Sequence, residues 1–334
     1  MKTTSHSFSN SYSVCVFFIL FLVSSQICLS KTTAPADQSQ WKFVRDISVE
    51  NRGSQLRDAV ILIELNGDNF DYSKAKEDGS DIRFSTKANK LAGSGLSYWI
   101  EQWNTNGISR IWVKIPKLAK NKTMAISMIY GNATANAVTN GEATFLFFDD
   151  FNDNTITGKW KNLSIESVVE EGGLLKLKEH DGENGMILSD FDVTGQMVVR
   201  ALYQRENGDR HWVRSGISGW NHWLSWGDYY TTDGYADGYL MIFNDSVNNL
   251  LGKTTTLHPD DKWYRLTYFY DGSKLKGYRE NDSVEFSMPN ASSKLGIMTL
   301  DNDAADLYDY ITVANYITTE PAIQVGKERP SSIK

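Results

Sequence analysis

Short runs of β-branched and aromatic residues, such as 109–115 and 124–130, recur along this chain with turn pairs between them. The pairs are Asn66-Gly67, Asp78-Gly79, Asn106-Gly107, Asn140-Gly141 and Asp271-Gly272. Such dipeptides accept the left-handed backbone that tight reversals need. Strands recurring at intervals of about 8–12 residues argue for antiparallel sandwiches. No segment repeats apolar residues at helical spacing over three turns, and the one helical turn expected is at 72–77. The fold class expected is therefore all-β, with two β-sandwich domains in tandem.

Residues 1–30 read as a signal peptide. Lys2 precedes an apolar run at 14–23, and small residues then lead to a cleavage point after Ser30. The run falls short of the roughly 20 residues that span a bilayer. Both cysteines, Cys15 and Cys28, lie within this segment. The mature chain then has none, which excludes thiol catalysis, zinc–thiolate sites and redox switching. A net charge of −7 without a Lys/Arg cluster argues against nucleic acid and against an anionic membrane surface. The expected location is secreted or at the cell surface, with no membrane span after cleavage. Asn-x-Ser/Thr triplets stand at Asn121, Asn132, Asn162, Asn244, Asn281 and Asn290. They read either as glycan acceptors or as the chance product of an Asn- and Ser-rich chain.

Residues 31–40 form a polar lead-in, and composition divides the rest near 143. The expected domains are 41–143 and 144–318, followed by a polar tail at 319–334. Five ordered blocks mark the first domain: 41–51, 70–84, Tyr98-Trp-Ile-Glu-Gln-Trp-Asn104, Ile111-Trp-Val-Lys-Ile-Pro116 and Met128-Ile-Tyr-Gly-Asn132. These blocks resemble the domain-of-unknown-function family 2341 of archaeal and bacterial envelope proteins, a family without an established activity. Phe147-Phe-Asp-Asp-Phe-Asn152, 263–268 and 307–313 resemble the opening and late strands of a concanavalin-A-like, laminin-G-like jelly roll. That resemblance implies a second domain of this fold and a role in recognising glycans.

Some glycoside hydrolases of that fold carry Glu-x-Asp-x-Glu on one strand, where alternate side chains share a face. Retaining hydrolysis needs two carboxyls about 5–5.5 Å apart. The spelling occurs here as Glu-His-Asp-Gly-Glu at 179–183. Turn-forming Gly182 and Asn184-Gly185 surround it, so it reads as a solvated hairpin end. His180, His211, His222 and His258 show no metal-ligand spacing. No catalytic residue is therefore assigned.

Between His211 and Tyr239 aromatic residues interleave with acids. An indole or phenol beside a carboxylate can stack on a sugar's C–H face and bond its hydroxyls, although a strand Trp commonly fills a core instead. Trp212 is assigned to the core. Trp220, Trp223, Tyr229, Tyr230, Tyr235 and Asp228 are assigned to a ligand cleft. Asp149, Asp150 and Asp309 sit on terminal strands that such jelly rolls place side by side, which allows a structural calcium; strand capping is the other reading. No cofactor is required. The expected function is non-enzymatic recognition of glycan or polysaccharide, with an envelope protein as a further partner. A polysaccharide hydrolase or lyase and a structural or adhesive envelope component are the alternatives.

Overall fold

The computed structural model describes residues 40–332 except 88–89, 92, 94, 164–167, 179–184, 207–213, 232–233, 245–249, 255–260 and 300–304. At 214–215, 225–231, 234–239, 241 and 243–244 it describes the backbone alone. The expected signal peptide lies outside the described residues.

The described chain opens with β1 (Phe43–Asn51), β2 (Leu56–Leu65), β3 (Arg83–Ser85), β4 (Tyr98–Gln102), β5 (Ser109–Leu118) and β6 (Lys122–Tyr130). A short helix α1 (Gly141–Thr144) leads into β7 (Phe147–Asp149), β8 (Trp160–Asn162), β9 (Val168–Glu171), β10 (Leu174–Leu177), β11 (Met186–Thr194) and β12 (Met197–Arg205). Then follow β13 (Arg214–Gly219), β14 (His222–Thr231), β15 (Gly234–Asn244), β16 (Leu250–Lys253) and β17 (Tyr264–Tyr270). The last are β18 (Lys274–Arg279), β19 (Asp282–Ser287), β20 (Ser292–Met298), β21 (Asp306–Asn315) and β22 (Ala322–Pro330). The expected helical turn is a 3₁₀ turn at Tyr72–Lys74, capped by the Asp71 side chain. Among the described residues no helix is long and apolar enough to cross a membrane.

These strands form four antiparallel sheets. Sheet A runs β22-β1-β6-β3 and sheet B runs β2-β5-β4. Sheet C runs β19-β18-β17-β12-β21-β10-β9, with β7 also on β21, and sheet D runs β16-β15-β14-β13-β20-β11-β8. The neighbours β17-β12-β21 and β13-β20-β11 are distant in sequence. These are the crossovers that turn two packed sheets into a jelly roll.

The sheets stack in the order A, B, C, D, and the strand sequences explain why. Ala59, Ile61 and Ile63 of β2 join Ile111, Val113 and Ile115 of β5 against Ile47, Val49 and Ile126 of sheet A. The alternate residues Val60 and Trp112 turn the other way, onto Val198, Phe269 and Tyr310 of sheet C. Sheet C in turn sends Val199, Ala201, Tyr203 and Leu266 into a core shared with Ile217, Leu224 and Ile297 of sheet D. A near-continuous apolar run such as 59–63 marks a strand buried on both faces.

Residues 319–334, expected as a polar tail, instead supply β22. It pairs with β1 from Phe43↔Pro330 to Glu50↔Ala322 and completes the first sandwich. The strand reads as polar because none of its residues is fully buried. Its pairing rests on backbone hydrogen bonds, which have no side-chain signature.

Candidate functional site

The outer face of sheet D begins at the β13–β14 hairpin. Gly219 pairs with His222, so Trp220 and Asn221 form a two-residue turn. Both have positive φ, 57° and 58°, as a type I′ turn requires. Asn tolerates this conformation, whereas an aromatic residue adopts it rarely. Packing holds Trp220 there. Its side chain is fully buried, its Nε1 donates to the Gly195 carbonyl at 3.0 Å, and its ring meets Tyr268 edge-on at 5.2 Å. Trp220 is thus a core residue rather than the cleft residue expected from its neighbours in sequence.

Strand alternation decides the rest. Leu224 and Ile217 enter the core, so Trp223 and its cross-strand partner Ser218 face outward. Ser218 pairs onward with Gly296 of β20, and Gly296 with Leu188 of β11. A parallel row runs through Gly216, Met298 and Met186. A Cβ on Gly296 would fall 2.6 Å from both Leu188 Cδ2 and Ser218 Oγ, so a larger residue there would have to push these two side chains aside. Trp223 is 8% exposed and Ser218 is 7% exposed. The indole therefore forms part of the floor of this face and does not project from it.

His222 also belongs to the turn. Its Nδ1 bonds the Trp220 carbonyl at 2.8 Å, and its own carbonyl accepts from the Tyr268 hydroxyl at 3.2 Å. Asp228, Tyr229, Tyr230 and Tyr235 lie on β14 and β15, where the register shifts between Gly227 and Tyr229. Their side chains lie outside the described residues, as do His211, Trp212 and the acidic triplet at 179–183.

The three acids expected to share calcium do not form one cluster. Asp149 points into the second sandwich, where its carboxylate accepts from Trp160 Nε1 at 2.6 Å, Phe151 N at 3.2 Å and Lys159 Nζ at 3.3 Å. Burial raises its pKa above the usual range, against the pull of the Trp160 and Lys159 contacts. The next residue, Asp150, lies just beyond β7 and acts electrostatically on Asp309, whose pKa burial and this neighbour also raise. Among the described residues no three acidic, His or Cys side chains are grouped to hold a metal ion.

A buried polar cluster joining the two sandwiches escaped the sequence reading. Glu101 of β4 accepts from Trp112 Nε1 at 2.8 Å and from Arg265 Nε of β17 at 2.9 Å. The Arg200 guanidinium lies over the Trp112 ring at 4.6 Å. Burial lowers the Arg200 pKa, and Glu320 is the largest opposing influence. The contributing residues lie far apart in sequence, and no local pattern links them.

Comparison with known proteins finds one family and several distant likenesses. The domain-of-unknown-function family DUF2341 matches residues 78–163, from the turn before β3 through β8. An uncharacterized protein of Methanocaldococcus jannaschii is 30% identical over 123 residues, which is 34% of this chain and 22% of that protein. The chain thus corresponds to a small part of this curated relative. Among solved structures, the Emp47p carbohydrate recognition domain is 13% identical, with a TM-score of 0.41, over 51% of this chain and 94% of that one. A family 16 glycosyl hydrolase from Mycobacterium smegmatis is 12% identical, with a TM-score of 0.40, over 51% and 99%.

Proposed function

We propose that this chain is a secreted or surface-exposed, non-enzymatic protein that recognises glycan or polysaccharide on the outer face of sheet D. The observation that carries the reading is the layer order. Sheet C has lost its outer face to the first sandwich, so the jelly roll's other broad face is that of sheet D. That face sets an indole, a hydroxyl and a glycine side by side at Trp223, Ser218 and Gly296. Apolar area with a few placed polar groups is what a sugar ring requires.

The described residues favour binding over cleavage. Outward positions Trp223, Ser218, Gly216, Gly296, Met298, Leu188 and Met186 include no carboxylate. Among the described acids on β11, Asp192 is paired with Lys294 at 3.3 Å. Two opposed carboxyls, the minimum for glycoside hydrolysis, are not assembled by these residues.

The test is binding of residues 31–334 to a polysaccharide and glycan panel while reducing ends are followed. Binding without new ends, weakened by Trp223→Ala, supports the reading. New reducing ends would replace it with a hydrolase; new unsaturated ends would indicate a lyase.

A further inference from the structure

Sheet B packs on residues of β12, β17 and β21, leaving a margin of that face of sheet C in solvent. There the strand pairings set Thr312 of β21, Arg200 of β12, Thr267 of β17, Tyr278 of β18 and Ser283 of β19 in one row. Exposure rises along it. Thr312 is 1% exposed, Arg200 and Thr267 are half-buried, and Tyr278 and Ser283 are exposed. The row thus runs out from beneath Trp112 onto an open shelf. Beside it, Phe269 lies nearly parallel to Tyr316, ring centroids 4.4 Å apart, and to Tyr278, 5.8 Å apart. These contacts fix the Tyr278 ring in place at the end of the shelf.

Arg200 differs from the other cations on this margin. Arg265 is paired with Glu101 at 2.9 Å and Lys276 with Asp271 at 3.1 Å. Among the described residues no oxygen accepts a hydrogen bond from Arg200. Its guanidinium rests on the Trp112 ring at 4.6 Å, and Glu320 acts on it through space without forming an ion pair. Nη1 is shut off from solvent, whereas Nε and Nη2 keep accessible surface. Those two nitrogens share one edge of the planar group. That edge meets the two oxygens of a carboxylate or a sulfate with parallel bonds.

The rest of the row indicates what carries that anionic group. Thr267 and Ser283 place hydroxyls on either side of the Tyr278 phenol, the mix of ring surface and small polar groups that suits a sugar. A peptide has less to hold. β12, β17 and β18 are each paired on both edges, so an extended chain cannot add to them as a strand. A neutral sugar would leave the guanidinium without a charged acceptor, and a cation would be repelled by it. We propose that this shelf is a second ligand site, separate from the sheet D face, that holds the carboxylate or sulfate of an acidic sugar on Arg200 with the sugar against Tyr278.

The test titrates residues 31–334 by calorimetry at low salt with trigalacturonate and with a sulfated galactose trisaccharide. Neutral galactotriose and the acidic peptide triglutamate serve as controls. At least one acidic trisaccharide is expected to bind, and the tighter of the two identifies the group that Arg200 takes. Arg200→Gln should weaken it about tenfold, as losing a charge-assisted hydrogen bond does, and Trp223→Ala should leave it unchanged. Tyr278→Ala should weaken it as well. Glu320→Gln removes a carboxylate that competes for the guanidinium and should tighten it. Tyr278 and Glu320 are exposed, so their variants test the site even if Arg200→Gln fails to fold. No binding of either acidic trisaccharide, binding indifferent to the Tyr278 and Glu320 substitutions, or equal binding of galactotriose or triglutamate would each overturn the proposal.

Discussion

Arg265 Nε on β17 donates to Glu101 Oε1 on β4 at 2.9 Å, so one ion pair ties the second sandwich to the first. The Glu101 side chain is 2% exposed, while that of Arg265 is 37% exposed. Removing the arginine leaves a buried carboxylate whose hydrogen-bonding neighbours are the uncharged Trp112 and Tyr310. Arg265→Ala is therefore expected to destabilise the chain by about 3 kcal/mol. Adding Glu101→Gln should restore much of the loss. A double-mutant cycle in denaturant measures this coupling, and additive effects would show that the pair is not coupled.

Trp112 fills the same junction, between Phe145 of the linker and the Arg200 guanidinium. Trp112→Ala should cost about 3–5 kcal/mol, as large-to-small changes in packed cores do. Because sheets B and C share this core, both sandwiches should lose stability in the variant. A calorimetric scan in which only one of two transitions moves would contradict the four-layer stack.

Asp309 sets a pH dependence. Its folded pKa lies above the unfolded value near 3.8, through burial first and then Asp150 and Glu101. Between the two values the folded state holds the extra proton, so this group's contribution to stability falls as pH rises through that window. Asp309→Asn removes the charge and is expected to raise the melting temperature at pH 7. The advantage should vanish below about pH 3.8, where both states are protonated. Equal midpoints at pH 7 would show that Asp309 carries no such penalty.

β22 is anchored by Glu328, which accepts from the Tyr130 hydroxyl at 2.7 Å and pairs with Lys74 at 2.5 Å. Burial pushes the Glu328 pKa up, but these two partners outweigh it and hold it below the usual range. Deleting 322–334 would uncover the β1 edge and remove Ile323 and Val325, which pack on the first core. Bare edges template strand pairing, so the truncated chain should aggregate, as light scattering would show. Glu328→Gln should remain monomeric.

The Trp220-Asn221 turn distinguishes backbone strain from packing. Asn221→Gly is expected to be neutral or to stabilise by about 0.5 kcal/mol, because Gly suits the second position of a type I′ turn. Trp220→Ala should cost about 3–5 kcal/mol through lost core volume. Urea midpoints of the two variants decide it, and a harmless Trp220→Ala would return that residue to the surface.

Sequence pattern was a reliable guide where the relevant physics is local. The apolar run at 59–63, the alternation of 124–130 and the turn at Tyr72–Lys74 each report backbone conformation through side chains a few residues apart. The all-β class followed from them. The site assignments depended on which face each residue takes. Trp220 and Trp223 were placed together in a cleft, yet the hairpin turn sends one to the core and the other outward. Asp149 and Asp150 were given one metal, yet Asp149 is taken up by Trp160 and Lys159 while Asp150 acts on Asp309.

The sequence by itself determined that this chain forms short antiparallel strands, because strand propensity and turn chemistry act over two to ten residues. Only the tertiary structure decided that β22 returns to β1, that sheet B is sealed between two partners, and that Glu101, Trp112 and Arg265 meet between the sandwiches. Those outcomes depend on backbone pairing and on packing between segments far apart in sequence, as in the bond from Arg45 across 281 residues to the Gly326 carbonyl. Hydrogen-bonding backbone is the same at every residue, so no local pattern specifies its partner.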